Sequence, residues 1–282
     1  MKCAWNAFIS LLPTWMRQEV DRQGSTSLLE LRLRLNEEPE LVCLKKSVTL
    51  GRTISKDDLL FCINAASRYS PWSAGTASKG YITAQGGHRI GICGDVTVSK
   101  GELTGIRSPT SLCLRVARDF PGISGDVCKA SGSILIIGSP GSGKTTFLRD
   151  CIRQLSDTQK GSIAVVDERG ELFPHIGQEM CFTPGKRTDV ITGCSKTQGI
   201  EMLLRCMGPQ TIAVDEITAQ QDCDALLHAC WCGVRLLATA HASDKRDLFS
   251  RQVYKPVIAS RIFENLIVLR QDKSWYTERM TV

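Results

Sequence analysis

The stretch Ser133-Ile-Leu-Ile-Ile-Gly138-Ser139-Pro140-Gly141-Ser142-Gly143-Lys144-Thr145-Thr146 joins an apolar run to a glycine-rich loop. The spacing predicts a helix directly after it, over Thr145–Leu155. A buried strand that feeds G-x-x-x-x-G-K-[ST] and then a helix is the pattern of a phosphate-binding loop. Gly138, Gly141 and Gly143 let the backbone turn tightly with its N–H groups pointing inward. Ser139, Pro140, Ser142 and Thr146 complete the cradle, and the helix N-terminus adds partial positive charge. In such a loop Lys144 reaches the β- and γ-phosphates of ATP, and the Thr145 hydroxyl ligates Mg²⁺.

Working outward, the C-terminal half repeats the same theme. Apolar runs at Ser133–Ile137, Ile163–Val166, Thr211–Val214 and Val234–Ala238 alternate with segments of helical spacing. Continuous apolar strands separated by helices indicate an α/β fold, a mostly parallel sheet with helices on both faces. Two of these strands end in acids. Thr211-Ile-Ala-Val runs into Asp215-Glu216, where Asp215 is expected to hold Mg²⁺ and Glu216 to polarise the attacking water. Adjacent acids suggest an additional strand between this one and the loop strand. Val234–Ala238 is the candidate, and its end would present Thr239 and His241 toward the γ-phosphate. Ile163-Ala-Val-Val runs into Asp167-Glu168, which are expected to face the same crevice and join the catalytic set.

The first half reads differently, as a smaller α+β domain. Leu29–Leu35 alternates apolar and charged residues, as a half-buried strand does. Leu41–Leu44 and Leu112–Val116 are further strands. Lys56–Arg68 has helical spacing behind a candidate N-cap, Ser55. Gly80–Ala84 and His88–Cys93 flank Gly86-Gly87 and read as a hairpin. Near the start, Trp5, Phe8, Ile9 and Leu12 fall on one helical face. This is an amphipathic helix packed on its own domain; a signal peptide would need a small-x-small cleavage site, which is missing. Pro121, Gly122, Gly125 and Gly132 mark the boundary, giving domains 1–125 and 126–282.

Composition narrows the function classes. The 282 residues carry 42% hydrophobic and 23% charged side chains, ordinary globular usage. Of the +6 net charge, 17 basic and 12 acidic side chains fall in residues 1–130, and 18 and 17 in the remainder. That excess suits an ordinary solvated surface. Thirteen cysteines, with no C-x-x-C pair and several inside apolar runs, read as reduced core residues of a cytosolic protein without a zinc site. No apolar run is long enough to span a membrane.

These motifs carry a resemblance. The C-terminal half resembles the RecA-like ATPases of type II and type IV secretion. Asp167-Glu168-Arg169-Gly170-Glu171-Leu172 is similar to their acidic box with the two acids exchanged, and Thr239-Ala240-His241-Ala242-Ser243 to their histidine box. Asp215-Glu216 stands where those families often carry Gly-Glu. Across about residues 11–270 the chain resembles more closely the stage III sporulation protein AA family. The features are Leu11–Pro13, Leu31–Asn36, Gly87–Gly91, the phosphate loop, Val166–Arg169, Lys186–Asp189 and Val214–Ile217. The resemblance implies a RecA-like, Mg²⁺-dependent ATPase that forms a homo-oligomeric ring, with a hexamer as the candidate size. It would sit at the cytoplasmic, mother-cell side of the membrane around the developing spore. There it would energise integral membrane channel proteins, with no direct nucleic-acid partner. An arginine from a neighbouring subunit or the N-terminal domain would complete the site, with Arg107, Arg115, Arg187 and Arg205 as candidates.

Three other readings compete. A small-molecule kinase would need an arginine-rich lid after the loop helix, which is not evident. A nucleotide-dependent scaffold would not need Lys144, Thr145, Asp215 and Glu216 together. A single-stranded nucleic-acid ATPase would interleave aromatics with a basic stripe, and aromatic residues are only 6% of the chain.

Overall fold

Alternation in Leu28–Arg34 sets the first sheet. Leu31 and Leu33 are fully buried, whereas Arg32 and Arg34 point to solvent. The computed structural model describes residues 1–67, 80–99, 102–126, 131–158, 161–176 and 179–280, so Arg68 at the expected helix end lies outside the described residues. The chain opens with α1 (Trp5–Ser10) and α2 (Thr14–Ser27), then β1 (Leu28–Arg34), β2 (Glu40–Cys43), β3 (Ser47–Thr49) and α3 (Lys56–Ser67). It continues through β4 (Tyr81–Thr83), β5 (Arg89–Ser99) and β6 (Glu102–Arg115). The sheet order is β3-β2-β1-β6-β5-β4, and every pairing is antiparallel. Phe8, Leu12, Met16 and Val20 bury their side chains in the apolar cluster that also holds Leu31, Leu33, Leu41 and Ile90. The Ser55 hydroxyl accepts the Asp58 N–H at 3.2 Å, and the Asp58 carboxylate accepts the Ser55 N–H at 2.9 Å, a reciprocal cap at the start of α3.

The second sheet is built from apolar runs. Every residue of β7 (Ile134–Gly138) and β8 (Ile163–Asp167) is buried, as expected for strands covered on both faces. Between them runs α4 (Lys144–Thr158), which starts one residue earlier and ends three residues later than its spacing suggested. The short β9 (His175–Ile176) and β10 (Glu179–Met180) pair with each other. The chain then forms β11 (Thr188–Thr192), α5 (Lys196–Cys206), β12 (Thr211–Ile217), α6 (Gln220–Trp231) and β13 (Arg235–His241). It ends with α7 (Lys245–Ser250), α8 (Lys255–Ala259), β14 (Asn265–Leu269) and β15 (Trp275–Arg279). The order is β11-β8-β12-β13-β7-β14-β15, parallel except for β15 at the edge. Strand β13 therefore lies between β12 and β7, where Val234–Ala238 was expected.

The chain divides into two compact units, Met1–Asp119 with Pro174–Cys181, and Phe120–Phe173 with Phe182–Val282. The expected cut at 125/126 falls six residues inside the second unit. Cys62, Cys151 and Cys223 are buried as small apolar groups, and burial pushes the Cys62 thiol up to about 12. Among the described residues no helix is long and apolar enough to cross a membrane.

Candidate functional site: a phosphate loop with two strand-end carboxylates

The loop after β7 takes a shape that only its glycines permit. A Cβ at Gly138 would lie 2.4 Å from Ser142 Oγ and 2.8 Å from the Leu269 carbonyl oxygen, so a side chain there has no room. Gly141 and Gly143 have φ of 75° and 102°, the left-handed region. Lys144 opens α4 and is buried. Its ammonium donates to the carbonyl oxygens of Gly138 at 2.8 Å and Ser139 at 3.1 Å, and meets His241 Nδ1 at 3.1 Å. Those contacts use all three ammonium protons. Burial pulls the Lys144 pKa down, while the Asp215 and Glu216 charges push it back up. The Ser142 hydroxyl is buried with no hydrogen-bond partner. A buried polar atom without a partner costs about 1–3 kcal/mol, so its presence inside this loop fits a cradle shaped for a polar ligand.

Adjacent acids on a regular strand would point to opposite faces. Here a bulge between Val214 and Ile217 breaks the β12–β13 register, and Glu216 takes φ 54°. A non-glycine residue held there costs on the order of 1–3 kcal/mol, which is characteristic of functional sites. Both carboxylates consequently turn toward the same end of the sheet. Asp215 accepts hydrogen bonds from the Thr145 hydroxyl at 2.7 Å and from the Thr239 hydroxyl, while Thr239 Oγ1 accepts the Glu216 N–H at 2.7 Å. Glu216 accepts from His241 Nε2 at 2.6 Å and from Arg169 Nη1 at 2.6 Å. Because Lys144 donates to Nδ1, the imidazole must carry its proton on Nε2, and that N–H is the one given to Glu216. Tyr254 braces the arrangement. Its hydroxyl donates to the Ile217 carbonyl and accepts the His241 N–H, both at 3.2 Å.

With that geometry in place, comparison with known proteins decides the family. A model described as "Sporulation stage III, protein AA" matches residues 8–278. The chain belongs to the sporulation stage III protein AA family. This family member is 33% identical to Stage III sporulation protein AA of Bacillus subtilis (strain 168), over 95% of its own length and 92% of that protein. In fold it is similar to the ATPase DotB of Legionella pneumophila, with a TM-score of 0.61 at 18% identity, covering 95% of this chain and 80% of that one. It is also similar to the pilus retraction motor PilT with bound ADP, with a TM-score of 0.60 at 16% identity, covering 89% and 76%. The α/β architecture expected from the motifs, with a mostly parallel sheet behind a smaller α+β region, is the architecture of this sporulation stage III AA chain, and DotB and PilT share the fold.

The remaining expected residues are placed less simply. A narrow cleft is lined by Asp167, Glu168, Arg169, Glu171, Lys196, Asp215 and Glu216, so the two strand-end acid pairs do border one crevice. Asp167, however, does not present an open carboxylate. It is buried and accepts the N–H groups of Glu171, Leu172 and Phe173 at 2.8, 3.0 and 2.8 Å. Burial raises its pKa against the pull of those N–H groups. Both of its oxygens thus hold the turn that follows β8. Arg149 pins the same turn from α4 through the Leu172 and Glu171 carbonyls at 2.6 and 2.8 Å. Glu168 binds the buried Lys196 ammonium at 2.6 Å, and Lys196 also lies 3.6 Å from Asp222. Of the candidate arginines, Arg187 donates to the Ser156 carbonyl at 3.1 Å, and Arg205 lies 3.7 Å from Glu201 on the exposed face of α5. Arg115 pairs with Glu30 at 3.1 Å in the first unit, and Arg107 is exposed on β6. The arginine actually at Glu216 is Arg169, which the sequence reading treated only as part of a box. Its neighbour Gly170, with φ 66°, closes the turn that aims it.

Proposed function

We propose that this protein hydrolyses ATP with Mg²⁺ as one subunit of a homo-oligomeric ring, with a hexamer as the candidate size. The ring would drive a sporulation-associated membrane channel from the cytoplasmic, mother-cell side. Its N-terminal α+β domain and its RecA-like domain would act as separate parts of the motor. The observation that carries this reading is the convergence of Lys144, Thr145, Asp215, Glu216 and His241 at the carboxyl ends of β7, β12 and β13.

The residues fit a Mg²⁺-bound nucleotide. Gly138–Thr146 would hold the phosphates through backbone N–H groups and the Ser142 hydroxyl, and Thr145 with Asp215 would hold the metal ion. Mg²⁺ would supply positive charge where phosphate charge builds up in the transition state. Lys144 would exchange its loop carbonyls for phosphate oxygens. Glu216 would orient a water and take its proton. His241, donating from Nε2, would keep the Glu216 carboxylate aimed.

Glu216→Gln tests the reading. The variant is expected to bind ATP as the parent does and to release phosphate on the order of 10²-fold more slowly, because the base is removed. Turnover per parent subunit is expected to rise with protein concentration as the ring assembles. Unchanged turnover in Glu216→Gln overturns the assignment of the base, and turnover independent of assembly overturns the ring.

A further inference from the structure

Both oxygens of the Glu216 carboxylate are already engaged. His241 Nε2 lies 2.6 Å from Oε1 and Arg169 Nη1 lies 2.6 Å from Oε2. The backbone beneath is held as well, by the Glu216 N–H to Thr239 and by the φ of 54°. Each oxygen thus has one lone pair taken, and the lone pair of Oε2 that Arg169 holds is closed to a water. His241 is shared with Lys144 and fixed by Tyr254, so its bond belongs to the frame of the site. The Arg169 side chain differs. It is 52% exposed and hangs from a turn whose backbone is anchored independently through Asp167. It can therefore change partner while the turn stays in place. A guanidinium prefers a phosphate to a single carboxylate, since the phosphate offers more charge and more acceptor oxygens in a fork geometry.

Resting on the nucleotide reading above, we propose that Arg169 is the residue by which this site distinguishes a nucleoside triphosphate from a diphosphate. Without a γ-phosphate its guanidinium occupies a lone pair of Oε2 of Glu216. With a γ-phosphate present the guanidinium turns to it and frees that lone pair for the attacking water. Arg169 thus acts twice, on the γ-phosphate directly and on the water through Glu216. The four other arginines considered from sequence are not needed for this step.

The test uses the full chain with Mg²⁺ and compares affinity for ADP and for a non-hydrolysable ATP analogue. The variants are Arg169→Ala and Arg169→Lys. In Arg169→Ala, ADP affinity is expected to stay within about twofold of the parent while analogue affinity falls about tenfold, one charge-assisted contact being lost. Single-turnover hydrolysis at saturating ATP should fall as well. Arg169→Lys should recover part of the discrimination, since it keeps the charge and loses the fork. An equal loss for ADP and analogue, or an unchanged ratio in both variants, overturns the role of Arg169. A parent protein that binds neither nucleotide overturns the nucleotide reading itself, so the two failures are distinct.

Discussion

The two large sheets of this chain are of similar size and opposite logic. In the antiparallel sheet neighbouring strands run in opposite directions, so each edge collects alternating starts and ends. Its buried polar residues serve local structure: Asp58 caps α3 and His88 ties two backbone segments. In the parallel sheet β7, β8, β12 and β13 all finish on one edge. That edge holds Gly138, Asp167, Asp215, Glu216, Thr239 and His241 within a few residues of the strand ends. Parallel topology thus concentrates polar groups and loop N–H groups at one place, which is why ligands bind there in open α/β sheets.

The largest effect should come from Lys144. Its ammonium is buried, and the desolvation this costs is only partly offset by the loop carbonyls it donates to. Lys144→Ala is expected to weaken nucleotide binding by about a hundredfold or more, as several charge-assisted contacts vanish. Thermal stability measured without nucleotide should fall little or rise. Equal affinity in variant and parent, measured by calorimetry, would break the contrast between the two sheets.

The reverse case is Leu31→Ala. Leu31 is fully buried at the centre of β1, paired to Leu41 and Leu114. The substitution should cost about 2–5 kcal/mol. Hydrogen exchange should show the loss at β1, β2 and β6, with nucleotide affinity unchanged. A comparable loss of protection in β7 and β13 would show that the two sheets do not stand independently.

Much of this contrast was legible in the sequence, because it rests on local patterns. Alternation gave β1, the apolar runs gave β7, β8, β12 and β13, and the adjacent acids placed β13 between β12 and β7. What escaped depends on contacts distant in sequence. Strand β6 extends back to Glu102, well before Leu112, because its outer half is held by β5 and not by its own pattern; Gly105 and Pro109 break the alternation there. Helix α2 is largely polar and contains Gly24, so its weak apolar stripe gave little signal. Lys196 and Arg169 reveal their roles only through Glu168, Asp222 and Glu216, each at least 26 residues away. The bulge at Asp215–Glu216 is likewise set by pairing with β13. The adjacent acids were the one available clue, since a regular strand would not have aimed both at one ligand.

The smallest expected effect is a difference in how the two sheets meet acid. His88 is buried in the first unit, where Nδ1 accepts the Ala117 N–H at 3.0 Å and Nε2 lies 3.0 Å from the Ala4 carbonyl oxygen. This pattern requires a neutral ring with its proton on Nε2; a second proton on Nδ1 would face an N–H group. Burial, with the Arg118 charge adding to it, pulls the His88 pKa down against the opposing pull of the Ala4 carbonyl. A lowered folded pKa means that the unfolded chain takes up a proton first. The stabilisation is complete above the ordinary histidine value near about 6.5 and is lost as pH falls from there toward the folded value. In the second unit the comparable buried group is Asp150. Burial opposes its ionisation, but the N–H groups of Ser124 and Gly122 and the Ser124 hydroxyl hold its pKa below the usual carboxylate range. Its contribution is therefore lost only below about pH 4. Exchange protection, corrected for intrinsic rates, should weaken in β5 and β6 as pH falls below about 6.5 while β7 and α4 hold, by less than Leu31→Ala costs. His88→Gln should lower stability at pH 8 and flatten this slope. Simultaneous weakening of both sheets in that window would place the acid-sensitive group elsewhere, and a slope that survives His88→Gln would remove His88 from the account.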